Sequence, residues 1–532
     1  MRNPQSATPQ SGAQAVDNRQ SSEWRWVALA AIGVVLLSSL PYLVVGLTTP
    51  ADLRFGGALV NPIDGQSYFA KMRQGYDGAW LFRLPFTATD DPDAFLFTYH
   101  IGLGHLARII GLSLTAMYQL ARVLGGWALL VTLYAWIARV FDSAADRRRA
   151  WLFVALTSGL GWMGIASSDV AIPESNTFFS ILTNAHFAAS TALMLILFMA
   201  ALDGSWLRAA PAAIGLAILQ PFAPIAAFAA LGVFLLLRWV RQPSHLAPLP
   251  QTIVTVVAGL SITPLMLYFF FAAQRDPILQ GWAAQNFTPS PSPIEYLAGY
   301  GLMWLLTIPG ARRALKRDRD VDLLLVAWVI ASVLLLYAPF PLQRRFSLGL
   351  HIPIVLLAMM GLKSASVPSA APLRGGSSRD ASHNWRKWLR GVVFIVSLPT
   401  TLLLLIATSS AAIRPPDPRL FFSAHESAAF DWLRGNLPHD SVVLAAPETG
   451  LFLPAWADTR VVYGHPFETV DAENVRARVE RFFAGSDDRS TLIQEYVVDY
   501  IFFGPREKRI GVPEVDWQTV FSVGDVTIYR AP

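Results

Sequence analysis

The chain has 532 residues, of which 53% are hydrophobic and only 15% are charged. Soluble globular proteins carry about 25% charged residues, so this composition excludes that class and indicates a protein that crosses a membrane several times. The net charge of +5 does not indicate a nucleic-acid partner, because most basic residues lie in short loops between apolar segments. Cysteine is absent, which excludes disulfides and thiolate metal sites.

Apolar segments of membrane length begin soon after the N-terminus. Residues 1–25 are polar and are expected to form a disordered cytoplasmic tail. Residues 26–411 then contain about eleven apolar segments, each long enough to cross a membrane as a helix. These segments start near Trp26, Met117, Trp151, Phe179, Ala209, Pro221, Thr252, Tyr296, Val321, Ser347 and Val392. The sequence therefore predicts an α-helical polytopic membrane protein.

The basic residues between these segments fix the orientation of the chain, because cytoplasmic loops carry an excess of Lys and Arg. With an odd number of membrane helices and a cytoplasmic N-terminus, the basic loops all fall on the cytoplasmic side of the plasma membrane: residues 142–150, 238–246, 311–320 and 363–390. The remaining long loops then lie outside, in the cell envelope: 48–116, 167–178, 272–295 and 339–346. The segment 98–111 is short and carries His100, so we expect it to lie in the membrane interface rather than to cross.

Residues 412–532 are less apolar and are predicted to fold outside the membrane. Two segments have the pattern of buried strands (DSVVLAAPE and VVDYIFFGP), and two have that of amphipathic helices (HESAAFDWLRGNL and DAENVRARVERFFAG). The last segment predicts a hairpin with its turn at Gly524-Asp525. The loop GHPFET (464–469) is interpreted as a turn with capping residues. A segment of this length can bury its own core, so we expect a small external α/β domain.

The external loops bring acids and arginines to the edge of the membrane. Asp64, Asp169 and Glu174 lie in the first two of these loops, and Arg344 and Arg345 precede a membrane segment. A partly desolvated carboxylate can act as a general base on a hydroxyl group. An arginine pair can bind a phosphate through paired hydrogen bonds, and a lipid phosphate presents its charge at this depth. The pattern therefore favours transfer of a group carried on a lipid phosphate, with the arginines stabilising the leaving charge.

Other assignments of the same residues stay open. Two or three of the carboxylates Asp64, Asp169 and Glu174 would form an oxygen site for Mg²⁺ or Mn²⁺. Asp64 would alternatively cap a helix that starts at Gly65, Glu174 would add charge to a first helical turn, and the arginines would snorkel to lipid headgroups. Further site candidates, for which membrane anchoring or packing is the structural alternative, are Tyr68, Lys71, His100 and His186.

The order of loops and motifs along the chain is also informative. One membrane helix leads into a long external loop with an early acid in DGQSY (64–68). That loop ends in YHIGLGHLARIIGLS (99–113), and Ala121-Arg122 follows at the start of the next membrane helix. A second acidic external loop and an external C-terminal domain complete an arrangement that resembles the GT-C class of integral membrane glycosyltransferases. Members include protein O-mannosyltransferases, the lipid A aminoarabinose transferase and the catalytic subunit of oligosaccharyltransferase.

The resemblance implies transfer of a sugar from a polyprenyl-phosphate-linked donor at the external face of the membrane. The acceptor would be a lipid, a glycan or a protein. By the same resemblance Asp64 would be the base or metal ligand of the first loop, and Asp169 or Glu174 would be the acid of the second loop. Arg344 or Arg345 would meet the donor phosphate.

The chain departs from the GT-C pattern in two places. Asp64 is followed by Gly65, where many members have Asp-Glu, and this weakens the metal assignment. A WWDYG-type motif is absent, so monosaccharide transfer fits better than transfer of a whole glycan to asparagine. The alternative functions are a transporter or flippase for a lipid-linked glycan, and a non-catalytic membrane scaffold with an external binding domain. The apolar segments are nearly free of charge, which argues against a transporter.

Overall fold

The computed structural model describes residues 10–89, 93–242, 249–364, 378–411, 417–485, 489–512 and 517–532. Residues 1–9 of the expected tail and parts of two basic loops, 243–248 and 365–377, lie outside this set.

Helices make up most of the chain before residue 411. In chain order they are α1 (Gln10–Thr48), α2 (Pro62–Asp77), α3 (Thr98–Ile110), α4 (Leu114–Val140), α5 (Ala144–Leu156), α6 (Ser168–Ala171), α7 (Thr177–Thr183), α8 (Ala185–Leu202), α9 (Trp206–Leu219), α10 (Ala223–Arg241), α11 (Leu249–Arg275), α12 (Pro277–Gln285), α13 (Pro293–Arg317), α14 (Asp320–Leu336), α15 (His351–Ser364), α16 (Ser378–Ser397) and α17 (Pro399–Ser410). A short strand, β1 (Leu53–Phe55), and three 3-10 helices (Gly161–Met163, Pro173–Ser175 and Gln343–Ser347) lie between them.

Six helical segments within the described ranges are long and apolar enough to cross a membrane: Ser21–Thr48, Leu114–Val140, Ala185–Leu202, Ala223–Arg241, Leu249–Ala272 and Lys387–Ser410. The other expected membrane segments coincide with helices that are shorter or less apolar, namely α5, α9, α13, α14 and α15. The chain is therefore a polytopic helical membrane protein, and every expected membrane segment corresponds to a helix.

The structure differs from the expected element boundaries in two places. Helix α1 begins at Gln10, inside the stretch expected to be disordered, because no proline follows Pro9 in that stretch to stop the membrane helix from extending backward. Helix α5 ends at Leu156, well before the end of the expected segment. The chain turns there to pack closely on α13: a Cβ atom at Gly159 would lie 2.3 Å from the carbonyl oxygen of Ala298.

The two ends of the helical bundle carry different side chains. Ion pairs join the basic loops at one end: Arg147 with Glu23 at 2.7 Å, Arg319 with Asp142 at 3.6 Å, Lys363 with Asp146 at 2.7 Å, and Arg238 with Asp318 at 3.2 Å. The described parts of all four basic loops therefore lie together, as their charge predicted. The long first loop and the C-terminal region lie at the opposite end.

The C-terminal region is a mixed sheet flanked by helices. Its strands are β2 (Phe421–Ser423), β3 (Val442–Leu444), β4 (Arg460–Val461), β5 (Tyr500–Phe503), β6 (Thr519–Val523) and β7 (Val526–Arg530), and its helices are α18 (Ala424–Asn436), α19 (Pro447–Gly450), α20 (Leu453–Trp456), α21 (Ala472–Phe483), α22 (Arg489–Glu495) and α23 (Pro505–Ile510). The sheet order is β4-β3-β5-β7-β6; β3 runs parallel to β4 and β5, and β7 antiparallel to β5 and β6. The two predicted strands, the two helices and the hairpin at Gly524 are confirmed.

The core of this sheet is shared with the first loop, which corrects the expectation of a self-contained domain. Successive side chains of a strand point to opposite faces. Leu444 packs with Phe483 of α21, within the C-terminal region. Val443 and Phe502 point the other way and pack in one cluster with Phe69 of α2. The first loop is also tied to this region by the antiparallel pairing of β1 with β2.

Candidate active site

Helix α2 carries most of the sequence-predicted candidates. The helix starts after Asn61, whose backbone is in the left-handed conformation. Proline follows at the first helical position, where a backbone N–H would have no partner within the helix. Asp64 therefore lies inside the first turn, and its side chain does not cap the helix, which removes the capping alternative. Asp64, Tyr68 and Lys71 are spaced by four and three residues, so they share one face of α2.

Lys71 joins α2 to the C-terminal region through a buried ion pair. Its Nζ donates to Oε1 of Glu468 at 2.6 Å and to Oγ of Ser67 at 2.5 Å, and Ser67 donates to the same carboxylate oxygen at 2.5 Å. The side chain of Lys71 is 1% exposed and that of Glu468 is 9% exposed. Burial alone raises the pKa of Glu468, but the Lys71 ammonium outweighs it and holds that pKa below its ordinary value. Glu468 is thus a buried, ionised acid between α2 and the C-terminal region.

Tyr68 is surrounded by aromatic and imidazole rings. Its ring is stacked on that of His100, with centroids 4.6 Å apart, and meets the edge of His186 at 5.0 Å. Both histidines are buried. Burial, together with the nearby positive charge of Lys71, holds the pKa of His100 well below its ordinary value, so that its imidazole is neutral. The ring stack places α3 and α8 against the candidate face of α2.

Arg345 faces the acids from the 3-10 helix Gln343–Ser347. Its Nη1 lies 3.1 Å from Oε1 of Glu174, and its guanidinium lies 5.6 Å from the ring centroid of Phe222. Burial lowers the pKa of Arg345, but the charges of Glu174 and Asp64 outweigh it and raise that pKa. Arg344 is held differently, with its backbone N–H donating to the carbonyl of Thr288 at 3.2 Å. Of the two arginines, Arg345 is the one paired with a candidate acid.

Asp64 is the least constrained of the acids. Within the described ranges its carboxylate accepts no hydrogen bond and forms no ion pair. It is close enough to Tyr68, Arg345 and His465 for its charge to act on all three. A carboxylate with open acceptor positions beside a fixed cation has the arrangement needed to take a proton from a bound hydroxyl group.

Asp169 lies apart from this group and is held by its own loop. Its Oδ2 accepts from Ser158 Oγ at 3.0 Å and from the Gly159 N–H at 2.8 Å, and its Oδ1 accepts from Ser167 Oγ at 2.6 Å. The three predicted metal ligands therefore do not converge. Among the residues that the structure describes, no group of three or more His, Asp and Glu side chains is placed to hold a metal ion. The side chains present do not fit the proposed Mg²⁺ or Mn²⁺ site.

The C-terminal loop contributes to the site in a way that its sequence does not predict. The loop GHPFET, predicted to be a turn with capping residues, places Glu468 against Lys71 and buries His465 against Phe86, with ring centroids 5.3 Å apart. The available signal is composition: an acid and an imidazole three residues apart in a segment that is otherwise small or apolar. Their partners, Lys71 and Phe86, are far away in the chain, so the sequence does not reveal these contacts.

An apolar groove runs along the bundle close to Arg345. It has a volume of about 480 Å³ and lies between α10 and α11, lined by Pro224, Phe228, Gly259, Thr263 and Met266 among others. Phe222, which contacts Arg345, immediately precedes α10. The end of the groove at Pro224 is therefore two residues along the chain from Phe222, whose ring faces the guanidinium, and the groove continues along α10 and α11.

No protein-family model matches the chain, and no curated protein matches it in sequence. Solved structures do match. The archaeal oligosaccharyltransferase AglB from Archaeoglobus fulgidus, in complex with an inhibitory peptide and a dolichol-phosphate, has 14% identity and a TM-score of 0.45 over 90% of this chain and 69% of that chain. ArnT from Cupriavidus metallidurans in the apo state has 13% identity and a TM-score of 0.48 over 94% and 98%. ArnT bound to undecaprenyl phosphate has 13% identity and a TM-score of 0.49 over 93% and 97%. Because these identities and TM-scores are low, no functional residue is carried over from them.

Proposed function

We propose that the protein is a membrane glycosyltransferase that transfers a sugar from a polyprenyl-phosphate-linked donor to an acceptor hydroxyl group. The observation that carries this proposal is the carboxylate of Asp64, which has no partner among the described residues and whose charge acts on the guanidinium of Arg345. Side chains of the chain itself thus provide a base and a phosphate-binding cation within one site.

In the proposed reaction Asp64 removes the proton of the acceptor hydroxyl as its oxygen bonds to the anomeric carbon of the sugar. The bond between that carbon and the phosphate oxygen breaks, and its electron pair leaves with the polyprenyl phosphate. Arg345 stabilises the charge that develops on the phosphate, and Glu174 keeps the guanidinium in place through their 3.1 Å contact. The proton on Asp64 is then released to water.

The apolar groove between α10 and α11 would receive the prenyl chain of the donor. It begins near Arg345, so a phosphate at the guanidinium would have its lipid beside the groove. Gly259→Trp would fill the groove, since only Phe228 lies near a Cβ atom at this position, at 3.7 Å. This variant should weaken binding of a long-chain polyprenyl phosphate and leave binding of a short-chain analogue unchanged. Equal weakening of both lipids would contradict this placement.

The site would face the outside of the plasma membrane. The described basic loops meet at the other end of the bundle, and basic loops favour the cytoplasm. The chain has no cysteine, so single cysteines introduced at Ser143 and Ser522 would report the two sides. In intact cells a membrane-impermeant maleimide should label Ser522→Cys and leave Ser143→Cys unlabelled; the reverse pattern would overturn the orientation.

The function is tested by following radiolabelled sugar from a panel of polyprenyl-phosphate sugars, with purified protein in nanodiscs. Asp64→Asn should reduce transfer at least 100-fold, the scale of a lost general base. Asp52→Asn is the matched control, because Asp52 is an exposed acid of the same loop. An arm with EDTA reports whether a metal ion takes part.

Each outcome of this assay separates the proposal from its alternatives. Transfer by the wild type and by Asp52→Asn, but not by Asp64→Asn, supports the proposed reaction. Movement of the lipid between leaflets without sugar transfer would indicate a flippase. A scaffold would be indicated if a binding function persists in Asp64→Asn but is lost when the C-terminal region is removed.

A further inference from the structure

The surroundings of Tyr68 contain four buried polar atoms that have no hydrogen-bond partner among the described residues. They are Nε2 of His100, Nδ1 of His186, Nε2 of His465 and Oε2 of Glu468. The four residues are 4%, 5%, 2% and 7% exposed, respectively. A buried polar atom without a partner is destabilising unless water or a ligand satisfies it. Four such atoms in one place indicate a binding site.

These atoms belong to one connected group. The rings of His100 and His186 both contact Tyr68, and their own centroids are 5.2 Å apart. Lys71 links this ring cluster to the C-terminal loop, because its Nζ lies 5.9 Å from the Tyr68 ring centroid and bonds to Glu468. The group adjoins Asp64, whose charge acts on Tyr68 at one side and on the C-terminal loop at the other.

The types of the unpartnered atoms define the chemistry of the ligand. Burial holds the pKa of His100 and of His465 below the ordinary value, so both rings are neutral, and a neutral imidazole offers one donor and one acceptor. The free oxygen of Glu468 only accepts, because the Lys71 ion pair keeps that acid ionised. A ligand that donates and accepts through hydroxyl groups satisfies this set.

Charged ligands fit the group less well. The Glu468 carboxylate would repel a sugar acid, since its open oxygen has no proton to share. A cationic ligand would meet the positive charges of Lys71 and Arg345, both of which act on His186. The ring of Tyr68 provides an apolar face beside the polar atoms. A sugar ring likewise has an apolar face and polar hydroxyl groups, so the two surfaces are complementary.

We infer that His100, His186, His465 and Glu468 bind the hydroxyl groups of the sugar that is transferred, and that they select a neutral sugar over a sugar acid. This inference rests on the proposed function, and it assigns the C-terminal loop 464–469 a direct part in the site. The sugar would lie between the Asp64 base and the Arg345 phosphate site.

The inference is tested by binding rather than by turnover. The probes are polyprenyl phosphate alone, polyprenyl phosphate carrying one of a panel of neutral hexoses and pentoses, and polyprenyl-phosphate glucuronic acid. Their affinities for the full-length protein in nanodiscs are measured by titration calorimetry. At least one neutral sugar should bind about 10- to 100-fold more tightly than the bare lipid, the scale of a hydrogen bond to a charged group. The glucuronic acid lipid should show no such gain.

Two variants test the residues, and one serves as the control. Glu468→Gln removes the charged acceptor. His100→Phe removes Nε2 but keeps a ring that can stack on Tyr68. Glu468→Gln leaves the Lys71 ammonium without its counter-charge; if that variant folds poorly, His100→Phe still tests the inference. Both should lose the preference for the sugar-bearing lipid and keep their affinity for the bare lipid. Glu473→Gln, at an exposed acid of the same region, should keep both.

The outcomes also separate this inference from the proposed function. No neutral sugar binding more tightly than the bare lipid, or a preference unchanged in both site variants, would overturn the inference alone. A wild-type protein that binds neither the bare lipid nor any sugar-bearing lipid would contradict the proposed function itself.

Discussion

At the scale of single residues, two aspartates of the loops have opposite surroundings. Asp169 accepts three close hydrogen bonds from Ser158, Gly159 and Ser167, whereas Asp64 has no hydrogen-bond partner in the described part of the chain. A carboxylate whose oxygens are occupied stabilises its loop, and one whose oxygens are open is available to a substrate. The same residue type is therefore expected to serve stability in one loop and chemistry in the other.

This contrast predicts a separation of stability from activity. Asp169→Asn replaces an acceptor by an N–H group and should cost about 1.5–3 kcal/mol for each hydrogen bond lost to the charged group. Asp64→Asn should leave the unfolding temperature unchanged and remove transfer. Thermal unfolding in detergent, followed by intrinsic fluorescence, checks the first statement beside the transfer assay. Equal destabilisation by the two substitutions would show that Asp64 is structural as well.

The buried histidines predict how stability depends on pH. His100 and His465 have pKa values below the ordinary 6.5 in the folded protein, so as the pH falls from 6.5 the unfolded chain takes up their protons before the folded protein does. Stability should therefore fall as the pH drops from 6.5, by up to about 1.4 kcal/mol per pH unit for each histidine. Unfolding temperatures at pH 7 and pH 5.5 measure this, and His100→Phe should reduce the dependence. A profile that is flat in the wild type would show that these rings are not buried neutral.

At the scale of secondary-structure elements, α2 and α3 approach each other closely enough to touch through their backbones. A Cβ atom at Gly75 would lie 2.0 Å from the carbonyl oxygen of Ile101, and one at Gly104 would lie 2.0 Å from that of Met72. No flexible side chain can yield at such contacts, so the two glycines set the separation of the helices. That separation is what brings His100 of α3 onto Tyr68 of α2.

Substitution of one of these glycines should therefore open the site. Gly104→Ala should separate α2 from α3, lower stability by about 1–3 kcal/mol and reduce sugar transfer. Gly102→Ala is the matched control on the same helix, because no atom lies within 4 Å of a Cβ there. It should keep activity and leave stability unchanged or slightly higher. Similar losses in both variants would indicate a general sensitivity of α3 instead of a specific contact.

At the scale of the whole molecule, the C-terminal region and the first loop form one body at one end of the bundle. They share the core that contains Phe69 and Phe502, the strand pair β1 and β2, and the buried ion pair of Lys71 with Glu468. A sheet with one face left uncovered exposes its apolar side chains to water. The region is therefore expected to depend on the first loop for its stability.

A fragment containing residues 417–532 tests this dependence. Expressed alone, it should aggregate or lack cooperative unfolding, because Val443, Phe502 and their neighbours would be exposed. Circular dichroism and size-exclusion chromatography measure this, with the full-length protein as reference. A soluble, monomeric fragment with a cooperative thermal transition would show that the shared core is dispensable.

Sequence reasoning reached as far as local pattern allows. Apolar length located the six described segments that are long and apolar enough to cross a membrane, and Gly524 marked the closing hairpin because turns need specific residues. The apolar pattern predicts a longer helix than the observed α5. The chain turns at Gly159 because of its close contact with Ala298, which is distant in sequence. Sequence reasoning identified Asp64 and Arg345 as candidates but missed Glu468, whose role depends on a partner that no local pattern reveals.

The pairing of Lys71 with Glu468 also bears on how the protein is made. Lys71 leaves the ribosome 397 residues before Glu468, so it lacks its counter-charge while the intervening chain is synthesised. Until the loop 464–469 has been synthesised, the rings around Tyr68 are not enclosed on the side that this loop covers. A chain that stops before this loop would thus contain all the described membrane segments and still have an incomplete site, so by the proposed function it would not draw on the cell's supply of lipid-linked sugar.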